Sequence, residues 1–177
     1  RMSPKPEPAL PGHLHVAGLI LLIAAGAFAI RLVQPIGTSV MNMQLCYFSS
    51  YIILFVVGIL ARQNNWLLRI PLSFALSWFK AALAGGTAFW LALMILGGMA
   101  SGDLSSIWGG WRWQSAAFAL WEAFFAVGAC LGIIAMFREH FNCRGRLTGL
   151  LTDSSFSVYL FHPPILILIC LALRNLA

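Results

Sequence analysis

From Ser154 to Leu173 the chain carries no Asp, Glu, Lys or Arg, and four more long apolar runs stand between its charged residues. A helix crossing the hydrocarbon core of a bilayer needs about 20 predominantly apolar residues. The five runs lie at about 14–33, 44–61, 80–100, 115–137 and 153–174. Their lengths and charge gaps predict an all-α, polytopic transmembrane helical bundle of about five spans. Residues 1–13, with four prolines among Arg1, Lys5 and Glu7, read as an exposed linker before the membrane region 14–177.

Composition agrees with this. The chain is 60% hydrophobic and 9% charged, where soluble domains carry about 25% charged residues. The net charge of +6 raises nucleic acid as a partner, but the basic residues punctuate apolar spans and do not form a soluble basic face. No nucleic-acid partner is expected, and membrane lipid is. Cys46, Cys130, Cys143 and Cys170 make no CxxC pair, so neither a disulfide framework nor a zinc site is indicated. His13-x-His15 and His140-x-x-Cys143 each offer two ligands where structural zinc takes four, so no metal is expected.

The basic residues also orient the spans. Residues 1–13 and the loops 62–80 and 138–149 hold eight Lys and Arg, whereas the loops 34–43 and 101–114 hold Arg112 alone. Excess positive charge marks the cytoplasmic side. The expected arrangement is a multi-pass protein of the cell's inner (plasma) membrane, with the N-terminal end in the cytoplasm and the C-terminal end outside. Pro35 and Gly37 mark a tight turn after the first span, and Asn64-Asn65 mark the end of the second. Residues 70–79 read as a short helix lying in the interface. Ala27-Phe28-Ala29 matches a signal-peptidase pattern, but the run 14–30 is long enough to remain as an anchor.

Within the spans, polar residues are the functional candidates. Glu122 is the one acid well inside a span, where ionisable groups are costly and point to function; its available partners are Arg31 and His162. In the last span, Pro163 and Pro164 offer no N–H to the carbonyls of Tyr159 and Leu160. A helix break is therefore expected at His162. Ser155, Tyr159 and His162 fall at i, i+4 and i+7, on one helical face. That face either lines a polar cavity or supplies interhelical hydrogen bonds beside a kink. His162 itself could serve as a general base or donate a hydrogen bond that repairs the kink. Gln44, Tyr47, Ser49, Ser50 and Tyr51 open the second span with polar groups, facing either an outward-opening cavity or the headgroups. Gly128 and Gly132 form a GxxxG match that suits close helix packing within the bundle. These features alone do not name a reaction.

Three stretches together resemble the membrane acyltransferase 3 family. The first is Gln44 to Pro71, in which Phe55-Val-Val-Gly-Ile-Leu-Ala61 is followed by a basic loop with Trp66-Leu67. The second runs from Leu120-Trp-Glu-Ala-Phe-Phe-Ala-Val-Gly128 to Met136-Phe-Arg-Glu139. The third, Ser155-Phe-Ser-Val-Tyr-Leu-Phe-His-Pro-Pro164, is similar to the family's Ser-Tyr-Ser-Ile-Tyr-Leu-x-His signature, with Phe156 where Tyr is common.

The resemblance implies an O-acyltransferase that moves an acyl group from acyl-CoA, as donor substrate, to a hydroxyl of a carbohydrate or other exported acceptor. It also implies that the chain is the later part of a larger acyltransferase domain, partnered by that protein's N-terminal half and inactive alone. The family's catalytic histidine and arginines lie in early spans that match nothing here, so the catalytic residues are unknown. The segment would supply cavity wall from Ser155, Ser157, Tyr159, His162 and Glu122. Arg62, Arg69, Arg138, Arg144 and Arg146 would meet the CoA phosphates, or else serve topology alone. No bound cofactor is implied. The rival expectation is a non-enzymatic membrane protein, a transporter or scaffold; one broken helix and no internal repeat argue against transport.

Overall fold

The structure is a computed structural model and describes residues 9–41, 43–98, 102, 105–141 and 145–173. It divides into two compact units, Arg1–Glu139 and His140–Ala177. The first unit contains α1 (His13–Val33), a 3-10 turn (Leu45–Tyr47) leading into α2 (Phe48–Gln63), α3 (Trp66–Arg69), α4 (Leu72–Leu96), α5 (Ser105–Trp108) and nearly all of α6 (Trp113–His140). The second unit contains α7 (Arg146–Leu173). There is no strand among the described residues, only an isolated bridge between Val40 and Met43. The fold is all-α, and among the described residues five helices are long and apolar enough to cross a membrane: His13–Val33, Leu45–Gln63, Leu72–Leu96, Trp113–His140 and Ser154–Leu171.

Side-chain contacts show which ends of the helices meet. The loop after α1 joins the region of α5, where the Ile36 amide donates to the Trp108 carbonyl at 2.7 Å. Leu93 of α4, Ile107 and Phe118 cluster at this same end. At the other end, Ile70, Ala75 and Ala135 form a cluster with Leu10, Trp66 and Leu72 around it. The long helices of the first unit thus run up and down, with the turn after α1 and the α5 region together and the 64–71 connection opposite.

Lipid tails are as apolar as leucine, so helices associate in a membrane chiefly through close packing and polar contacts. The α4–α6 interface is built from small residues accordingly. The buried positions of α4 are Ala75, Ala82, Gly86 and Leu93, and those of α6 include Ala119, Ala123, Gly128, Gly132 and Ala135. A Cβ on Gly128 would fall 2.6 Å from that of Ala82, and one on Gly132 would fall 2.4 Å from that of Phe79. The Trp121 indole crosses the seam to donate to the Gly86 carbonyl at 2.8 Å. The GxxxG pattern is a packing surface within the bundle.

Helix ends follow local chemistry. α2 stops where Asn65 takes a left-handed conformation at φ 52° and the Asn64 amide group donates to the Leu60 carbonyl at 2.9 Å. α4 stops at Gly97 and Gly98, the latter at φ 76°, a conformation that terminates helices at small cost only in glycine. The turn after α1 has Gly37 at φ 88°.

Two sequence expectations are corrected. Residues 70–79 do not make a separate interfacial helix: from Leu72 onward they are the first turns of α4. No proline or glycine interrupts the chain between Leu72 and Leu83, so a helix started after Pro71 continues. The break expected at His162 is also absent, because α7 carries Pro163 and Pro164 inside one continuous helix. The linker of residues 1–13 gives way to helix at His13, and its first eight residues lie outside the described part.

Candidate functional site

Arg31 sits in the last turn of α1 with 0% of its surface exposed. It is buried by the same i, i+3, i+4 logic as its neighbours, since Ala24, Ala27 and Arg31 line one stripe of α1. The glycine turn after α5 closes over it. Gly110, at φ 83°, donates its amide to the Arg31 carbonyl at 3.3 Å. A Cβ at Gly109 would come within 2.5 Å of that carbonyl oxygen, so only glycine permits this approach.

A wholly buried guanidinium needs an opposite charge. Glu122 of α6 provides it, with Arg31 Nη2 donating to Glu122 Oε2. The guanidinium carbon lies 5.5 Å from the ring centre of Phe118, one turn before Glu122, and 5.8 Å from that of Tyr47. Both rings are within cation–π range. Arg31 Nε and Nη1 have no hydrogen-bond partner among the described residues. Of the two partners the sequence offered for Glu122, the structure selects Arg31.

The Glu122 side chain is 36% exposed, and the space it meets is a cavity of ≈ 270 Å³. Tyr47, Ser50, Tyr51 and Leu54 form one wall, Ile23 and Ala27 a second, and Ala119, Ala123 and Ala126 join Glu122 on the third. Spacings of three and four put the α2 residues on one face, and the alanines opposite leave the room. One carboxylate and three hydroxyl-bearing side chains therefore surround one volume. Carboxylate and hydroxyl oxygens accept hydrogen bonds while the hydroxyls also donate, a set suited to a ligand bearing several hydroxyls. The polar opening of the second span, weighed against a headgroup role, contributes Tyr47, Ser50 and Tyr51 to this wall. The signal that could have found them was depth: Arg31 and Glu122 both lie toward the end of the bundle at which Tyr47 begins its span.

The remaining candidate side chains are described within their own units. On α7, the His162 ring donates through Nδ1 to the Tyr159 carbonyl at 2.8 Å. That is the carbonyl from which Pro163 withholds an N–H. The imidazole takes the place of that missing donor within the continuous helix. This bond also places a proton on Nδ1. Tyr159 and His162 approach at 5.7 Å between ring centres. At about 100° per residue, Ser155, Tyr159 and His162 share a face and Ser157 points from the opposite side.

Among the arginines, Arg138 ties α6 to α3 by donating to the Leu67 carbonyl at 2.8 Å and pairs with Glu139 at 2.7 Å. Arg62 is exposed near the end of α2 and Arg69 closes α3. Arg144 lies outside the described residues, as does the side chain of Arg146. Among the described residues no three His, Cys, Asp or Glu side chains gather as a metal site would need.

Fold and site together define a polytopic helical membrane protein whose first unit carries an ion-paired cavity bordered by hydroxyl-bearing side chains. The family model described as an acyltransferase domain, acyltransferase 3, matches residues 9–176. The chain belongs to that family and is a membrane protein of the acyltransferase class. No curated protein and no solved structure matches it.

Proposed function

We propose that the chain is part of an O-acyltransferase that moves an acyl group from acyl-CoA to a hydroxyl of a carbohydrate or another exported acceptor. It would work in the inner membrane with the N-terminal end cytoplasmic and the chamber near the outer face. The observation that carries this reading is the Glu122 carboxylate, anchored by Arg31 on the wall of a cavity that also presents Tyr47, Ser50 and Tyr51. In the reaction an acceptor hydroxyl oxygen attacks the thioester carbonyl, a C–O bond forms, the C–S bond breaks, and the hydroxyl proton passes to a base while the CoA sulfur leaves. Glu122 accepts a hydrogen bond from the acceptor and orients it; the hydroxyls of Tyr47, Ser50 and Tyr51 hold neighbouring groups. The proton-accepting base is not assigned to this chain.

Acyl transfer by the full-length protein, with Glu122→Gln and Ser50→Ala beside the wild type, tests this. Misplacing a reactant costs on the order of 100-fold in rate, and Glu122→Gln is expected to lose that much while the protein stays folded. Wild-type transfer that both variants retain would remove the chamber from the acceptor site. No transfer with any acyl-CoA would move the transporter or scaffold reading ahead.

A further inference from the structure

A second cavity, of ≈ 280 Å³, lies in the same α1–α2–α6 seam at the end opposite the chamber. Val16, Leu19, Val57, Leu60, Val127 and Leu131 make its wall, and only His15 and Trp66 bring polar atoms in their side chains. Its size limits what can enter. A dry cavity of roughly 150 Å³ takes a six-carbon ring, so this one takes about ten carbons of a chain. The Trp66 indole N–H is buried without an acceptor among the described residues, and an ester carbonyl would satisfy it. Beside the slot, sharing Ala61 and Leu67 with it, is an open recess of ≈ 400 Å³ that holds Arg62 and Asn65.

We propose that this slot binds one tail of an anionic bilayer phospholipid, with the ester near Trp66 and the phosphate at Arg62. Basic pockets between membrane helices suit such headgroups, and a wall this apolar suits an alkyl chain. A phospholipid is the occupant because its alkyl tail, ester and anionic phosphate match the apolar wall, the Trp66 N–H and the Arg62 of the adjoining recess. The site is independent of the acceptor chamber, and a protein that transfers nothing would still bind.

The test uses the full-length protein in detergent, titrated with phosphatidylglycerol carrying a brominated tail, with tryptophan fluorescence compared between wild type and Trp66→Phe. The difference signal, which belongs to Trp66, is expected to be quenched saturably at low lipid. Val57→Phe, which fills the slot, should weaken that binding by roughly tenfold or more. Arg62→Gln should weaken it about fivefold and leave uncharged-net phosphatidylcholine unaffected. Quenching that rises only with bulk lipid, or that Val57→Phe leaves unchanged, overturns the proposal. So does displacement of the brominated lipid by decanoyl-CoA, which would hand slot and Arg62 to the acyl donor. Should Val57→Phe fail to fold, native mass spectrometry of the wild type decides: one retained phospholipid supports the site, and a bare protein refutes it.

Discussion

Cutting the Arg31–Glu122 pair from its two sides should have unequal consequences, and the inequality can be worked from exposure. Glu122→Ala leaves a guanidinium with 0% exposure against the rings of Phe118 and Tyr47, with no other charge partner among the described residues. Removing one partner of a buried pair strands the other charge and costs ~3–5 kcal/mol. Arg31→Met strands a carboxylate instead, but that side chain is 36% exposed on a cavity with room for water. An acceptor left without its donor costs ~1–3 kcal/mol when buried, and water in the cavity reduces this to the lower part of that range. Arg31→Met/Glu122→Ala removes both charges, so the double variant should be more stable than Glu122→Ala alone by ~2 kcal/mol or more. The assay is reversible denaturant unfolding in lipid–detergent micelles for wild type, both single variants and the double. Equal losses from the two single variants, or strict additivity in the double, would refute the placement of Arg31 as a buried cation dependent on Glu122. A double variant that is folded and yet fails to transfer would separate the chamber's chemistry from its contribution to stability.

Three further outcomes can be measured in the same system. Gly132→Ala places a methyl group 2.4 Å from the Phe79 Cβ and should destabilise by ~1–3 kcal/mol, whereas Gly58→Ala, with nothing within 4 Å, should be neutral or stabilising by up to ~1 kcal/mol; unfolding midpoints compare them. His162→Ala should cost ~1 kcal/mol by freeing the Tyr159 carbonyl, and adding Pro163→Ala should restore stability by returning a backbone donor, as hydrogen exchange along α7 would report. Gly109→Ala should push the α5 turn off α1, raising hydrogen exchange at the Gly110 amide, because its Cβ would sit 2.5 Å from the Arg31 carbonyl oxygen and 3.0 Å from the Pro35 Cβ.

The spans and the GxxxG seam were legible because hydropathy and small-residue spacing act locally. Each charge-free run carries its own evidence, and Gly128 and Gly132 announce a close approach whichever helix receives them. What escaped was pairing across the bundle. Glu122 was visible as an anomalous acid, but its choice between Arg31 and His162 depends on which helices touch. Tyr47, Ser50 and Tyr51 have the composition of a headgroup boundary, and only the position of α6 opposite makes them chamber wall. For α7 the sequence offered His162 as a donor repairing the kink, and the structure has that bond; what failed was the expected break, because proline rules count the lost donor and not how far a neighbouring side chain keeps the helix going. A side chain's ability to replace a backbone group is a geometric matter that a per-residue rule does not contain.

The distribution of small residues explains why the bundle can be both held together and hollow. On the α4 side of α6, Gly128, Gly132 and Ala135 meet Ala75, Phe79 and Ala82, and backbones close to contact. On the α1–α2 side of the same helix, Ala119, Ala123 and Ala126 meet Tyr47, Tyr51 and Leu54 across a gap. The same residue type thus produces adhesion where its partner is also small or flush, and a cavity where the opposing side chains project but do not fill. Removing alanine methyls from the first seam would loosen the fold; enlarging them on the second would fill the chamber at little expense to the α4–α6 contact. Ala126→Leu, at an exposed position of α6 on the chamber wall, is the discriminating change. It should reduce acceptor use without lowering unfolding stability, and a loss of stability equal to that of Gly132→Ala would mean that the chamber is part of the packing and not a space kept open for a ligand.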